Sequence, residues 1–198
     1  MIDIEDYGDF KSIGDNPIKK QIILTHTSRD LKKYLNSLKY RYSGKFTRIP
    51  NYVISREGKI LKLLPDSGYT KFLNKPELNL NSIIITFENL GWIHKEPLKD
   101  SYINWIGDIY KGTVCERKWR DYFFWQPYTE IQLDSCVYVC KELFNKMNIN
   151  NEIIGHNTRI NGIEKFEGVV TRSNFDSEST DVSPAFDFEL FIKKFENG

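Results

Sequence analysis

Side chains that carry chemistry are scarce in this sequence. Its 198 residues contain three cysteines, Cys115, Cys136 and Cys140, an odd number without the paired spacing of a metal-binding motif. Cys136 and Cys140 stand one helical turn apart on an apolar face, where free thiols act as small hydrophobes. A disulfide framework is thereby excluded, and synthesis in a reducing compartment is expected. The net charge is only +1, which removes any general electrostatic case for nucleic acid or an anionic membrane as partner. No apolar run approaches the length of a membrane span. The opening MIDIEDYGDF is acidic and has neither the basic nor the apolar region of a secretory signal, so cytoplasmic synthesis without a signal peptide is expected. Histidines also number three, His26, His94 and His156.

The length suits one sizeable core, and a single domain over residues 1–198 is expected. Its apolar pattern alternates between strand-like and helical. QIILTHTS (21–28) carries an apolar run of the kind that fills a strand buried on both faces, ending at His26. Ser28 is expected to cap a helix with Leu31, Tyr34, Leu35 and Leu38 on one face. NYVISR and KILKLL flank Glu57-Gly58, a two-residue hairpin signal. Residues 74–81 are polar and contain Pro76, which predicts a loop into a second buried strand, SIIITF (82–87), followed directly by Glu88. Thr129 with Gln132 forms a capping-box pattern before a long amphipathic helix. A last helix from about Asp187 should close the sheet's other side. The expected fold is α/β, a mixed central sheet flanked by helices on both sides.

Aromatic residues make up 14% of the chain, and all four tryptophans, Trp92, Trp105, Trp119 and Trp125, fall within residues 91–127. Rings concentrated in such an excursion line a groove for sugar or peptide, or they build a satellite core that holds the excursion together. Two histidines, His26 and His156, end expected strands, whereas His94 lies among charged residues and is expected to be exposed. A catalytic zinc takes three protein ligands and keeps a position for water. Two histidines therefore require one carboxylate or thiolate more. Asp181, in the proline-containing turn STDVSPAFDF, is the candidate. Its alternative role is to cap that turn, and spacing does not decide between them.

THTS, the hairpin NYVISREGKI, SIIITFEN followed by LGW, YTEIQ, GHN and the late TDVSPAFDF occur in an order that resembles the zinc-dependent N-acetylmuramoyl-L-alanine amidases of the type 2 class. That group includes amidase-type phage lysozymes and the peptidoglycan-recognition proteins. The resemblance runs from about Gln21 to Phe191. It implies zinc held by His26, His156 and Asp181, and hydrolysis of the amide between the lactyl group of N-acetylmuramic acid and L-alanine. The implied partner is bacterial peptidoglycan or a muropeptide, acted on by a monomer. Release to the cell wall or association with a virion would suit a phage origin; a non-catalytic peptidoglycan-binding module on the same fold is the alternative. The sequence also departs from the family. Pro50 and Thr86 occupy the stations of a tyrosine or a glutamate that helps the zinc water, and Ser179 that of a lysine that steadies the oxyanion. The interval from His156 to Asp181 is long, which implies an inserted loop. Expected substitutes are Glu88 as general base, Tyr52, and Arg172 in VVTRSNF as a fixed positive charge. Trp92 and Trp119 are the expected substrate-binding rings.

Overall fold

The computed structural model describes residues 3–97 and 99–197. Its first seven strands are β1 (Ile4–Asp6), β2 (Gly14–Asp15), β3 (Gln21–His26), β4 (Tyr52–Ile54), β5 (Ile60–Lys62), β6 (Gly68–Tyr69) and β7 (Ser82–Phe87). Then come β8 (Trp92–Lys95), β9 (Tyr102–Ile103), β10 (Ile109–Tyr110), β11 (Cys115–Trp119), β12 (Tyr122–Trp125) and β13 (Gly168–Thr171). The α-helices are α1 (Leu31–Tyr40), α2 (Pro76–Asn81), α3 (Glu130–Met147) and α4 (Phe188–Glu196).

Six strands form the central sheet in the order β1-β5-β4-β7-β3-β13. The β4–β5 pair is antiparallel and all its other pairs are parallel, so the sheet is mixed as expected. The two apolar runs of the sequence, β3 and β7, lie at its centre, and every residue of both is buried. Alternation along a strand sends successive side chains to opposite faces. Ile22, Leu24, Ile83 and Ile85 accordingly pack with α3 residues Leu133, Cys136 and Cys140. On the opposite face Ile23 and Ile84 meet Leu78 of α2, while Val53 and Leu61 meet Leu35 and Leu38 of α1. Helices therefore cover both faces.

The expected β4–β5 hairpin is present, but its loop has three residues, Arg56, Glu57 and Gly58, because Ser55 opposes Lys59 and bonds its carbonyl; Gly58 takes φ +80°, a left-handed conformation that glycine adopts without steric cost. The capping box is also present. Thr129 accepts from the Gln132 backbone N–H, and the Gln132 side chain accepts from that of Thr129. Cys136 and Cys140 are buried free thiols.

Four expectations need correction. Asp30, not Ser28, caps α1, because its carboxylate accepts from the Lys33 N–H, while Ser28 adopts φ +56°. Residues 76–81 form α2, with Pro76 in the first turn, where a missing N–H carries no penalty. Helix α4 begins after Asp187 as expected, yet it packs on the same face as α3, since its Phe191 joins the α3 core cluster. The segment GVVTRSNF is not a loop. Its first four residues are β13, paired in parallel with β3.

The aromatic excursion contributes a second sheet, antiparallel throughout, in the order β10-β9-β8-β12-β11. Trp92 stacks on Tyr122 at 4.6 Å between ring centroids, and Trp125 is wholly buried at its centre. These rings hold the sheet together.

Candidate functional site

His26 is the last residue of β3 and lies at the C-terminal edge of the central sheet. Its Nδ1 is 3.0 Å from the Tyr128 hydroxyl, and its Nε2 is 3.1 Å from Asp181 Oδ1. The Ser183 N–H donates to the Tyr128 oxygen at 3.2 Å. The Asp181 carboxylate only accepts, so a proton on Nε2 suits it, and the Tyr128 hydroxyl then donates to Nδ1. Burial pushes the His26 pKa down, Asp181 acts to raise it, and Arg172 acts to lower it. The ring is therefore neutral at physiological pH. Gly91, from the LGW motif, makes room for this ring. A Cβ there would lie 2.7 Å from His26 Nε2, and its φ of +73° also favours glycine.

Asp181 is buried, and its carbonyl accepts from the Ser173 N–H at 2.8 Å and the Ser173 hydroxyl at 2.7 Å. The Ser179 hydroxyl, at the station where a lysine was expected, turns back to accept from the Asp181 N–H at 3.1 Å. The second carboxylate oxygen of Asp181 faces Arg172 Nη1 at 3.4 Å. Arg172 is steadied by Asp176, which takes its Nε and Nη2 at 3.2 and 3.1 Å. His26, Asp181 and Arg172 share a cleft with Arg29, Arg41 and Arg48. Among the described residues Asp181 is the one carboxylate that lines it, against four guanidinium groups. Trp105 borders the same cleft, 47% exposed, with Arg29 stacked 5.0 Å from its ring centre and its indole N–H bound to the Ser28 carbonyl at 2.8 Å.

His156 does not join this group. It is exposed in a separate groove beside Trp119, Arg117 and Phe188, and its Nδ1 accepts from the Thr158 N–H. Strand order explains the separation. The expected strand through residues 152–155 is reduced to one bridge between Ile153 and Val169, on the far side of β13 from β3. Asn174 then fastens the GHN segment outside the sheet by donating to the carbonyls of His156 and Thr158. Because Thr171 pairs with Leu24, the residue that leaves β13 beside the end of β3 is Arg172. Among the described residues no three His, Cys, Asp or Glu side chains converge to hold a metal ion.

Glu88 and Tyr52 bond groups outside the cleft. Glu88 Oε1 accepts from the Leu31 N–H at 2.8 Å and Oε2 from the Arg56 N–H at 2.9 Å, tying the start of α1 to the hairpin. Tyr52 points into the core beneath α3 and bonds Asp66, a buried carboxylate also held by Lys62 and Lys146. Neither borders the His26 cleft. Trp92 packs within the second sheet, whereas Trp119 lines the His156 groove. His94 is exposed as expected. Sequence reasoning missed Tyr128, Gly91, Arg29 and Trp105 as parts of the site. The first two lie inside the motifs YTEIQ and LGW.

The family description N-acetylmuramoyl-L-alanine amidase matches residues 14–168 of this chain. The match includes His26 and His156 and ends before Arg172 and Asp181. No match is found among curated proteins by sequence. Among solved structures, the N-acetylmuramoyl-L-alanine amidase LysC from Clostridium intestinale is 14% identical, with a TM-score of 0.58 over 98% of this chain and 97% of its own. The endolysin amidase LysCS, also from Clostridium intestinale, is 14% identical, with a TM-score of 0.59 over 99% and 97%. The AmiD amidase from E. coli, solved with anhydro-N-acetylmuramic acid-L-Ala-D-gamma-Glu-L-Lys, is 17% identical, with a TM-score of 0.53 over 93% and 60%. This chain belongs to the N-acetylmuramoyl-L-alanine amidase family. The enzyme class so defined is a hydrolase acting on a linear amide.

Proposed function

We propose that this protein acts on bacterial peptidoglycan, or on muropeptides derived from it, at the amide between muramic acid and L-alanine. The observation that carries the reading is the cleft at the sheet edge, where the His26–Asp181 pair is surrounded by Arg29, Arg41, Arg48 and Arg172. Stem peptides carry carboxylates, and fixed guanidinium groups suit them because each presents a planar fork of donors. Trp105 and Tyr34, on the same wall, offer flat apolar area to a sugar or peptide. A lytic role is part of this reading, supported by the near full-length correspondence with an endolysin amidase.

The zinc implied by the sequence resemblance does not suit these donors. Only His26 and Asp181 meet, they are bonded to each other, and their third neighbour is a cation. No step of the reaction is therefore routed through a metal. Within this cleft Tyr128 fixes the orientation of His26, Asp181 holds its Nε2 proton, and Arg172 presents positive charge toward any oxygen bound beside Asp181.

Binding without hydrolysis is a second reading, favoured by the same bonds. Both ring nitrogens of His26 are engaged, and Glu88 and Tyr52 are committed elsewhere. Co-sedimentation with purified peptidoglycan tests what the two readings share. Wild type should pellet with the wall, and Arg29→Ala should pellet less. A wild-type protein that stays in the supernatant would refute both.

A further inference from the structure

We propose that Arg172, and not a metal ion, supplies the positive charge at the heart of this site, so that ligand binding here is independent of zinc. Three placements carry the inference. Strand β13 occupies the sheet position next to β3 and delivers Arg172 at the level where His26 ends its strand. The Arg172 guanidinium lies 3.4 Å from the outer oxygen of Asp181 and is anchored from behind by Asp176. The remaining histidine of the expected set stands one strand farther out, held there by Asn174.

The placement of His156 turns this into a geometric conflict. Zinc holds nitrogen and oxygen donors at about 2.1 Å, which brings its ligand atoms to within roughly 3.5 Å of one another. Nε2 of His26 and Oδ1 of Asp181 meet that spacing at 3.1 Å. His156 lies in another groove. A divalent ion between His26 and Asp181 would stand against the Arg172 guanidinium, and like charges at such range repel strongly inside a cleft. It would also have to displace the contact between Nε2 of His26 and Oδ1 of Asp181. An ion pair between Asp181 and Arg172 satisfies the same buried carboxylate with no metal.

The ligand chemistry that follows is an anion, a carboxylate in the first instance, received by Arg172 together with the cleft arginines. Peptidoglycan as its source rests on the functional reading above, whereas the exclusion of zinc stands on these side chains alone. The test uses the full chain, stripped with a chelator and then equilibrated with zinc. Metal content and thermal melting are measured for wild type, His26→Ala, Asp181→Asn and Arg172→His. Wild type should retain no more zinc than His26→Ala or Asp181→Asn, and zinc should not raise its melting temperature. Arg172→His, which exchanges the cation for an imidazole beside His26, should gain zinc that wild type lacks. One zinc per wild-type chain, lost in either His26→Ala or Asp181→Asn, would overturn the proposal.

Co-sedimentation with peptidoglycan in a chelator provides the second arm. Wild-type binding should be the same with chelator as with zinc, and Arg172→Ala should lower it about tenfold or more, the scale of one lost charge-assisted hydrogen bond. Binding that appears only with zinc would overturn the proposal. Failure to bind peptidoglycan under either condition would instead remove the functional reading, and the zinc measurements would still decide the metal.

Discussion

Glu88→Gln separates a catalytic carboxylate from a structural one. The carboxylate of Glu88 receives the backbone N–H groups of Leu31 and Arg56, one on each oxygen, at 2.8 and 2.9 Å. A hydrogen bond from a neutral donor to a charged acceptor contributes about 1.5–3 kcal/mol. Glutamine keeps one acceptor but turns an NH2 toward the other N–H, so one bond is lost and two donors face each other. The negative charge at the first turn of α1 disappears as well, which costs about 0.3–1 kcal/mol. Together these give a loss of about 2–4 kcal/mol. A chain of 198 residues loses about 2–4 °C of melting temperature per kcal/mol, so the midpoint should fall by about 4–16 °C. Thermal unfolding followed by circular dichroism reads this directly. Wall binding per folded molecule, measured well below the transition, should be unchanged, and so should any turnover. An unchanged melting temperature combined with a loss of turnover of about a hundredfold or more, the scale of a missing general base, would refute the structural assignment.

Tyr52→Phe should lower stability by about 1–2 kcal/mol through its lost bond to buried Asp66, with wall binding unaffected; impaired binding at full stability would return Tyr52 to the site. Gly91→Ala should weaken wall binding, because the new Cβ would displace His26 Nε2; unchanged binding, assayed on folded protein, would show that His26 does not position the ligand. Trp105→Ala should lower binding with little change in melting temperature, whereas Trp92→Ala should lower melting temperature, since Trp92 stacks on Tyr122 within the second sheet; the opposite pattern would exchange their roles. Burial lowers the His26 pKa below its unfolded value. The unfolded chain therefore binds the proton more readily, and the contribution of this residue to stability is lost as pH falls below about 6.5. Urea unfolding between pH 7.5 and 5 should accordingly be less pH-dependent for His26→Gln than for wild type, and equal slopes would contradict the buried neutral ring.

Features decided by neighbouring residues were legible in the sequence. The buried runs of β3 and β7, the Thr129 capping box and the start of α4 are all local patterns, and each recurs in the structure, as does the β4–β5 hairpin with a loop one residue longer than expected. Of the three expected zinc ligands, His26 and Asp181 lie 3.1 Å apart, whereas His156 lies in another groove. What escaped depends on long-range pairing. The β-branched run in GVVT suits a strand, but only the Gly168–Gln21 register places it beside β3, and that pairing sets Arg172 inward and His156 outward. The second sheet escaped for a related reason, since its strands span two to five residues and mix exposed with half-buried positions. The bonds of Glu88 are equally hidden from sequence, because its partners are backbone N–H groups, which leave no trace in side-chain identity.

Mass spectrometry of purified peptidoglycan after incubation with the full chain tests the central claim most directly. The account predicts new L-alanine amino termini and intact glycan strands. Peptidoglycan that is bound but uncut would leave the binding-only reading. New reducing ends without free alanine termini would contradict the account, because the bond broken would then be glycosidic and not the muramoyl amide.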